Sequence, residues 1–146
     1  MTRSLHIGTK FSRESELLDP VARFAKQLGF RLQTAELPFY EYRIDLYGFS
    51  QRSNTTIAIE LKLTDWRRAL EQAMLYQLCS DFVYIAMPES SARRVNTTEL
   101  QQNGVGLLSV VNPRTCSCIV QASEHNEVRP FYRRTQIAFL KETANA

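Results

Sequence analysis

Long apolar runs are missing from this chain of 146 residues. No stretch approaches the roughly 20 apolar residues that a membrane-spanning helix needs. The N-terminus also lacks the apolar core of a secretory signal. We therefore expect a cytoplasmic protein that has no membrane partner.

Cysteine and histidine are scarce as well. The three cysteines are an odd number with no Cys-x-x-Cys spacing, which argues against a disulfide framework and against a thiolate zinc site. The two histidines lie far apart, so a histidine metal site or a Ser-His-Asp triad is poorly supported. Any metal would have to bind carboxylates, which suit Mg²⁺ or Mn²⁺.

Charge and length limit the possible partners and the number of domains less strictly. The formal net charge is +3 and the sequence pI is about 8.9, values that are compatible with binding to nucleic acid but do not require it. The length is typical of one domain, and neither a linker nor an internal repeat is visible. We therefore expect a single domain over residues 1–146, with a core at about 12–111 and a C-terminal extension at about 112–146.

Hydrophobic periodicity predicts an α/β fold. An apolar stripe that ends at Gly29 predicts a first helix, which begins either near Ser12 or at Pro20 behind an Asp19 cap. A meander of three strands joined by hairpins, followed by parallel crossovers, predicts a mixed central sheet flanked by helices. The further expected elements are a loop at 1–11, strands at 30–37, 43–49, 56–63, 82–87, 105–111 and 115–122, and helices at 66–79, 90–104 and 132–141.

Polar residues on the third strand suggest a site. Glu60 and Lys62 share one face of that strand, and for such a pair alone a solvated strand face is the more common explanation. Asp45 lies across the predicted hairpin from Glu60. Two carboxylates at close range repel each other unless a proton or a cation lies between them, and a divalent cation uses oxygen ligands of this kind.

Together these residues resemble the PD-(D/E)xK nuclease superfamily. Asp45, fourteen intervening residues and then Glu60-Leu61-Lys62 follow a helix that carries Glu14, in the order of that family's motif. Gln72-x-x-x-Tyr76 on the next helix is similar to an element of the family's RecB-like branch. The resemblance implies a restriction-endonuclease-like αβββαβ core and a metal-dependent nuclease that hydrolyses DNA phosphodiester bonds with a metal-activated water.

The resemblance also implies roles for individual residues. Asp45, Glu60, the backbone carbonyl of Leu61 and, if its helix begins early, Glu14 would bind Mg²⁺ or Mn²⁺. Lys62 would position the attacking water and stabilise the transition state.

Further roles follow from the same resemblance. Gln72 would brace the site or contact phosphate, and it would bind DNA together with Tyr76 and Arg43. Tyr76 also fits the apolar stripe of its own helix, and a core position is the preferred interpretation of this residue. The alternative function is a catalytically inactive domain of this fold that binds DNA or a protein partner. Sequence-specific cleavage by so small a domain would require a homodimer or a recruiting partner.

Overall fold

The computed structural model describes residues 9–144 and shows a six-stranded sheet with helices on both faces. Residues 1–8, most of the predicted N-terminal loop, and residues 145–146 lie outside the described part of the chain. A short 3₁₀ helix spans Glu14–Leu17. The strands are β1 (Leu32–Phe39), β2 (Tyr42–Ser50), β3 (Thr55–Leu61), β4 (Phe82–Pro88), β5 (Gly106–Asn112) and β6 (Thr115–Val120). The α-helices are α1 (Leu18–Gln27), α2 (Trp66–Tyr76), α3 (Glu89–Ala92), α4 (Thr97–Gln102) and α5 (Pro130–Ala144).

The strands lie in the sheet in their chain order, from β1 to β6. Strands β1, β2 and β3 form an antiparallel meander, and β3, β4 and β5 are parallel to one another. Strand β6 returns antiparallel to β5. The prediction of a mixed sheet with hairpins first and parallel crossovers later is confirmed.

Two apolar layers cover the sheet. One contains the buried residues of α1, such as Val21 and Ala25, together with Ile57 and Ile59 of β3. The other contains Ala73 and the remaining buried face of α2, joined by buried residues of α4 and α5. Glu60 lies on the same face of β3 as Ala58, which packs in the α2 layer, because side chains alternate along a strand. Its side chain is therefore buried against α2 and does not face the solvent.

The start of the first helix differs from both predicted alternatives. A 3₁₀ turn leads directly into α1, and the α-helix continues through Pro20 without starting there. The carboxylate of Glu16 accepts the backbone N–H groups of Ser12 (2.8 Å) and Arg13 (3.0 Å), and this satisfies donors that a helix start leaves free. Gly29 ends the helix with φ of +107°, a conformation that favours glycine.

Two predicted elements were wrong in detail. Strand β1 does not stop before Pro38, because Pro38 still pairs with Arg43; proline is tolerated on an edge strand. The predicted helix at 90–104 is two short helices, and the side chain of Asn96 caps the second by accepting the N–H of Glu99 at 3.2 Å.

The C-terminal extension is part of the same sheet assembly. Strand β6 extends the sheet beside β5, and α5 packs against β1 at the opposite edge. All three thiols are free. Within residues 9–144 no helix combines the length and the apolarity that crossing a membrane requires.

Candidate active site

The β2–β3 hairpin brings Asp45 and Glu60 together. Regular backbone pairing between the two strands ends at Leu46 and Ile59, and the next position on each strand carries one of the two carboxyl groups. Beyond that point the side chain of Asp45 replaces the backbone acceptor, because its Oδ2 accepts the N–H of Leu61 at 2.8 Å. This bond fixes the Asp45 carboxylate beside the end of β3.

The two carboxyl groups interact directly. Glu60 is only 6% exposed. Burial raises the pKa of the Glu60 carboxyl to about 8, and the neighbouring Asp45 carboxylate contributes to this rise. Burial also raises the pKa of Asp45, against the lowering effect of the Leu61 N–H. Both carboxyl groups therefore hold a proton more readily than an isolated carboxyl group does, and the effect is larger at Glu60.

Tyr76 is the contact that orients Glu60. Its hydroxyl lies 3.1 Å from Oε1 of Glu60 and 3.3 Å from the carbonyl oxygen of Arg43, and it donates to these acceptors. Tyr76 is 1% exposed, so its burial does not fit the predicted direct contact with DNA. Tyr76 therefore occupies the core position that the sequence also indicated, and its hydroxyl contacts Glu60 from α2.

Lys62 follows the last residue of β3. Its backbone N–H donates to the carbonyl of Ala86 at 3.0 Å, which continues the parallel pairing with β4 past the end of the strand. The side chain is half-buried, and its positive charge lowers the pKa of Glu60. Lys62 makes no ion pair with the carboxylates of residues 9–144.

Glu14 lies on the exposed 3₁₀ turn that precedes α1, and not on an early-starting α-helix. Its Oε2 accepts the N–H of Leu63 at 3.4 Å, and its negative charge contributes to the raised pKa of Asp45. The structure therefore places Glu14 at the rim of the site.

Glu36 lies at the site without having been predicted there. This residue on β1 has φ of +54°, which is unusual for a residue with a side chain, and the pairings on either side of it place it opposite Asp45. Its charge also raises the pKa of Asp45. The β1–β2 register that places it there continues through Pro38, where the first strand was expected to have ended.

Gln72 and Arg43 complete the predicted set. Gln72 lies one helical turn before Tyr76 and is half-buried, and its Oε1 is buried without a hydrogen-bond partner in the described part of the chain. Buried polar atoms are normally paired, so this acceptor has capacity for a donor that the protein does not supply. Arg43 is exposed, two residues before Asp45.

The donor set fits a divalent cation in part. Asp45 and Glu60 offer two hard oxygen ligands whose mutual repulsion a cation would relieve. However, no group of three or more His, Cys, Asp or Glu side chains within residues 9–144 is arranged to hold a metal ion. A complete shell would need further oxygen ligands, such as the Leu61 carbonyl, Glu14 after movement, substrate or water.

Comparison with known proteins identifies the fold alone. No family model matches the chain, and no curated protein matches it. A solved structure of a protein of unknown function from Silicibacter pomeroyi is similar, with a TM-score of 0.70 and 21% sequence identity over 94% of this chain and 89% of that chain. At this identity the likeness extends to the fold and not to an activity.

Proposed function

We propose that this protein is a metal-dependent nuclease of the PD-(D/E)xK type, with a restriction-endonuclease-like αβββαβ core. The observation that carries the proposal is the juxtaposition of the Asp45 and Glu60 carboxyl groups at the open end of a hairpin, with Lys62 next to them. The observed order of elements, α1-β1-β2-β3-α2-β4, agrees with the core expected from that family.

Each residue has a role that its own chemistry supports. Asp45 and Glu60 would hold Mg²⁺ or Mn²⁺, and a proton held by either carboxyl group would leave when the cation binds. Such a cation supplies a Lewis acid for the phosphate and lowers the pKa of a water molecule. The Lys62 ammonium, which has no carboxylate partner at ion-pair distance among residues 9–144, is available to orient the nucleophile and to stabilise charge that develops on phosphate.

Residues around the pair would position it. The Tyr76 hydroxyl fixes one oxygen of Glu60, and the Leu61 N–H fixes one oxygen of Asp45. The unpartnered Oε1 of Gln72 could receive a donor from substrate or water. Arg43 and Gln72 are the side chains proposed to contact DNA, and Glu14 would assist at the rim.

A cleavage panel tests this proposal. Linear, nicked, branched and circular DNA are incubated with the protein in Mg²⁺, in Mn²⁺ and in EDTA. Cleavage is expected only with a divalent cation, and Asp45→Asn, Glu60→Gln and Lys62→Ala should each reduce its rate at least about 10²-fold. Glu124→Gln, which changes an exposed carboxylate in the loop before α5, is the matched control and should cleave normally.

The second candidate is a non-catalytic domain that binds DNA or a protein partner. The observation that favours it is the absence, within residues 9–144, of a cluster of three potential metal-binding side chains. If no DNA form is cut with either cation while calorimetry detects no binding of Mg²⁺ or Mn²⁺, this candidate replaces the nuclease. A homodimer or a recruiting partner belongs to either proposal, since so small a domain has little room to read a DNA sequence.

A further inference from the structure

A basic cleft lies at the opposite end of the hairpin from the candidate active site. It has a volume of about 690 Å³ and lies between the C-terminal end of α1 and the turn that joins β2 to β3. We call this region the basic cleft and define it by its cations Lys26, Arg31 and Arg52 and by Phe49, Ser50 and Ser53.

The charge of the basic cleft has one sign. No Asp or Glu is among the residues that line it. Its three cations are exposed, and none forms an ion pair within residues 9–144. A concave surface with clustered like charges concentrates anions.

The local fold explains only part of this cluster. Lys26 lies in the last turn of α1, where a cation interacts favourably with the helix carbonyls. Arg31 and Arg52 lie outside any helix, on either side of the same opening. Their guanidinium groups suit phosphate oxygens, to which arginine donates paired hydrogen bonds.

We propose that the basic cleft binds the phosphate backbone of a nucleic acid. The choice of nucleic acid among phosphate compounds rests on the proposed function. Ser50 in the cleft follows Asp45 by five residues on β2, so the cleft and the carboxylates lie near opposite ends of that strand, the cleft beside α1 and the carboxylates on the face that packs against α2. The cleft would therefore engage backbone that lies beyond the phosphate held at Asp45.

The test measures how binding depends on salt. The 146-residue chain carries Asp45→Asn and is kept in EDTA, so that nothing is cleaved, and fluorescence anisotropy follows a labelled 20-base-pair duplex between about 50 and 200 mM KCl. Changing Lys26, Arg31 and Arg52 together to Gln should reduce the slope of log K against log salt by roughly 2 to 3, at about 0.9 for each phosphate that is no longer neutralised. The matched control changes Arg93, Arg94 and Arg114 to Gln, which removes the same charge at exposed positions outside the cleft.

Several outcomes would overturn the proposal. They are a duplex that does not bind, equal reductions of slope in the two triple variants, or an unchanged slope in the cleft variant when circular dichroism shows that it is folded. Inorganic phosphate or a mononucleotide that displaces the duplex at concentrations far below those of chloride would indicate a site for a small anion instead.

The assay is independent of the cleavage panel. DNA that is cut normally by the cleft variant, with an unchanged salt slope, would reject the cleft and leave the nuclease intact. Binding through the cleft by a protein that cuts nothing would reject the nuclease and retain the cleft.

Discussion

Glu60 is the residue whose surroundings most need a functional explanation. A carboxyl group buried to this extent is costly when ionised, and here it also faces a second carboxyl group on the adjacent strand. The Tyr76 hydroxyl and the charge of Lys62 oppose the rise of its pKa. A structural role alone would be served as well by glutamine or leucine, whereas a pair of carboxylates is suited to a cation.

The raised pKa of Glu60 predicts how the metal-free protein responds to pH. In the unfolded chain this carboxyl group has an ordinary pKa near 4.5, whereas in the folded protein it rises to about 8. The folded state therefore binds the proton more tightly, so its contribution to stability is full below about 4.5 and is lost as the pH rises through 8. Between pH 5 and pH 9 in EDTA, the Glu60→Gln variant should lose less stability than the wild type. The difference should grow by about 1.4 kcal/mol for each pH unit between pH 5 and the folded-state pKa of about 8.

Urea denaturation at a series of pH values measures this difference. Glu71→Gln, which makes the same chemical change at an exposed position on α2, should follow the wild-type curve. Parallel curves for wild type and Glu60→Gln would show that the Glu60 pKa is not raised by folding.

The residues of the site could be predicted from the sequence only in part. Asp45, Glu60 and Lys62 could be inferred because a strand alternates its faces and a hairpin turn sets which residues lie opposite one another. Glu36 could not, because its position depends on a strand pairing that continues through Pro38 and on a positive φ that no sequence pattern indicates. The Tyr76–Glu60 bond depends on how α2 packs on the sheet, which is a tertiary property.

At the scale of elements, Asp81 joins three segments that are distant in sequence. Its Oδ2 accepts the N–H (2.8 Å) and the hydroxyl (2.9 Å) of Thr56 at the start of β3, and Nε of Arg133 on α5 at 3.0 Å. The Arg133 guanidinium also donates to the carbonyl of Asn54 at 2.7 Å. This carboxylate thus links the extension to the end of the hairpin that is remote from Glu60.

Asp81→Ala should therefore destabilise the protein by about 2–4 kcal/mol, because it leaves the buried N–H of Thr56 without a partner and removes a charge-assisted bond. Glu89→Ala breaks the ion pair with the exposed Arg93, whose atoms are 3.6 Å from those of Glu89, and should cost no more than about 1 kcal/mol. Urea denaturation of both variants is the measurement. Equal free energies of unfolding for the two would contradict a linking role for Asp81.

Elements with a strong periodic pattern could be predicted well. Elements whose ends depend on a capping side chain or on the burial of one residue could not. Helix α2 and the buried strand β4 have apolar patterns that leave few alternatives. The 90–104 segment was predicted as one helix because its composition permits it. In the structure Asn96 caps a second helix, and the preceding residue, Val95, is buried in the core. Side-chain capping and burial of a single residue decide such breaks, and neither is visible in a periodicity.

At the scale of the whole molecule, the sheet separates two regions of opposite charge. The carboxylates collect where β2 begins and β3 ends, while the basic cleft surrounds the turn at the other end of the same hairpin. A modest net charge of +3 therefore conceals a polarised distribution. An acidic site repels DNA by itself, so a cation at the carboxylates and a remote basic surface would serve the same ligand.

Binding of a cation at the carboxylates should raise the melting temperature of the whole domain, and it should do so more strongly at alkaline pH. A ligand present at 100 times its dissociation constant stabilises the folded state by about 2.7 kcal/mol, which corresponds to roughly 5–10 °C for a domain of this size. Because the cation must displace the proton on Glu60, whose pKa is about 8, its affinity should weaken by up to about tenfold for each pH unit below that value.

Thermal melts in 1 to 10 mM Mn²⁺ or Mg²⁺ at pH 6.5 and pH 8.5 provide the measurement, with EDTA as the reference. Glu60→Gln should lose most of the shift at pH 8.5, whereas Glu124→Gln should retain it. The same shift at both pH values, or in Glu60→Gln, would mean that the cation binds elsewhere on the molecule.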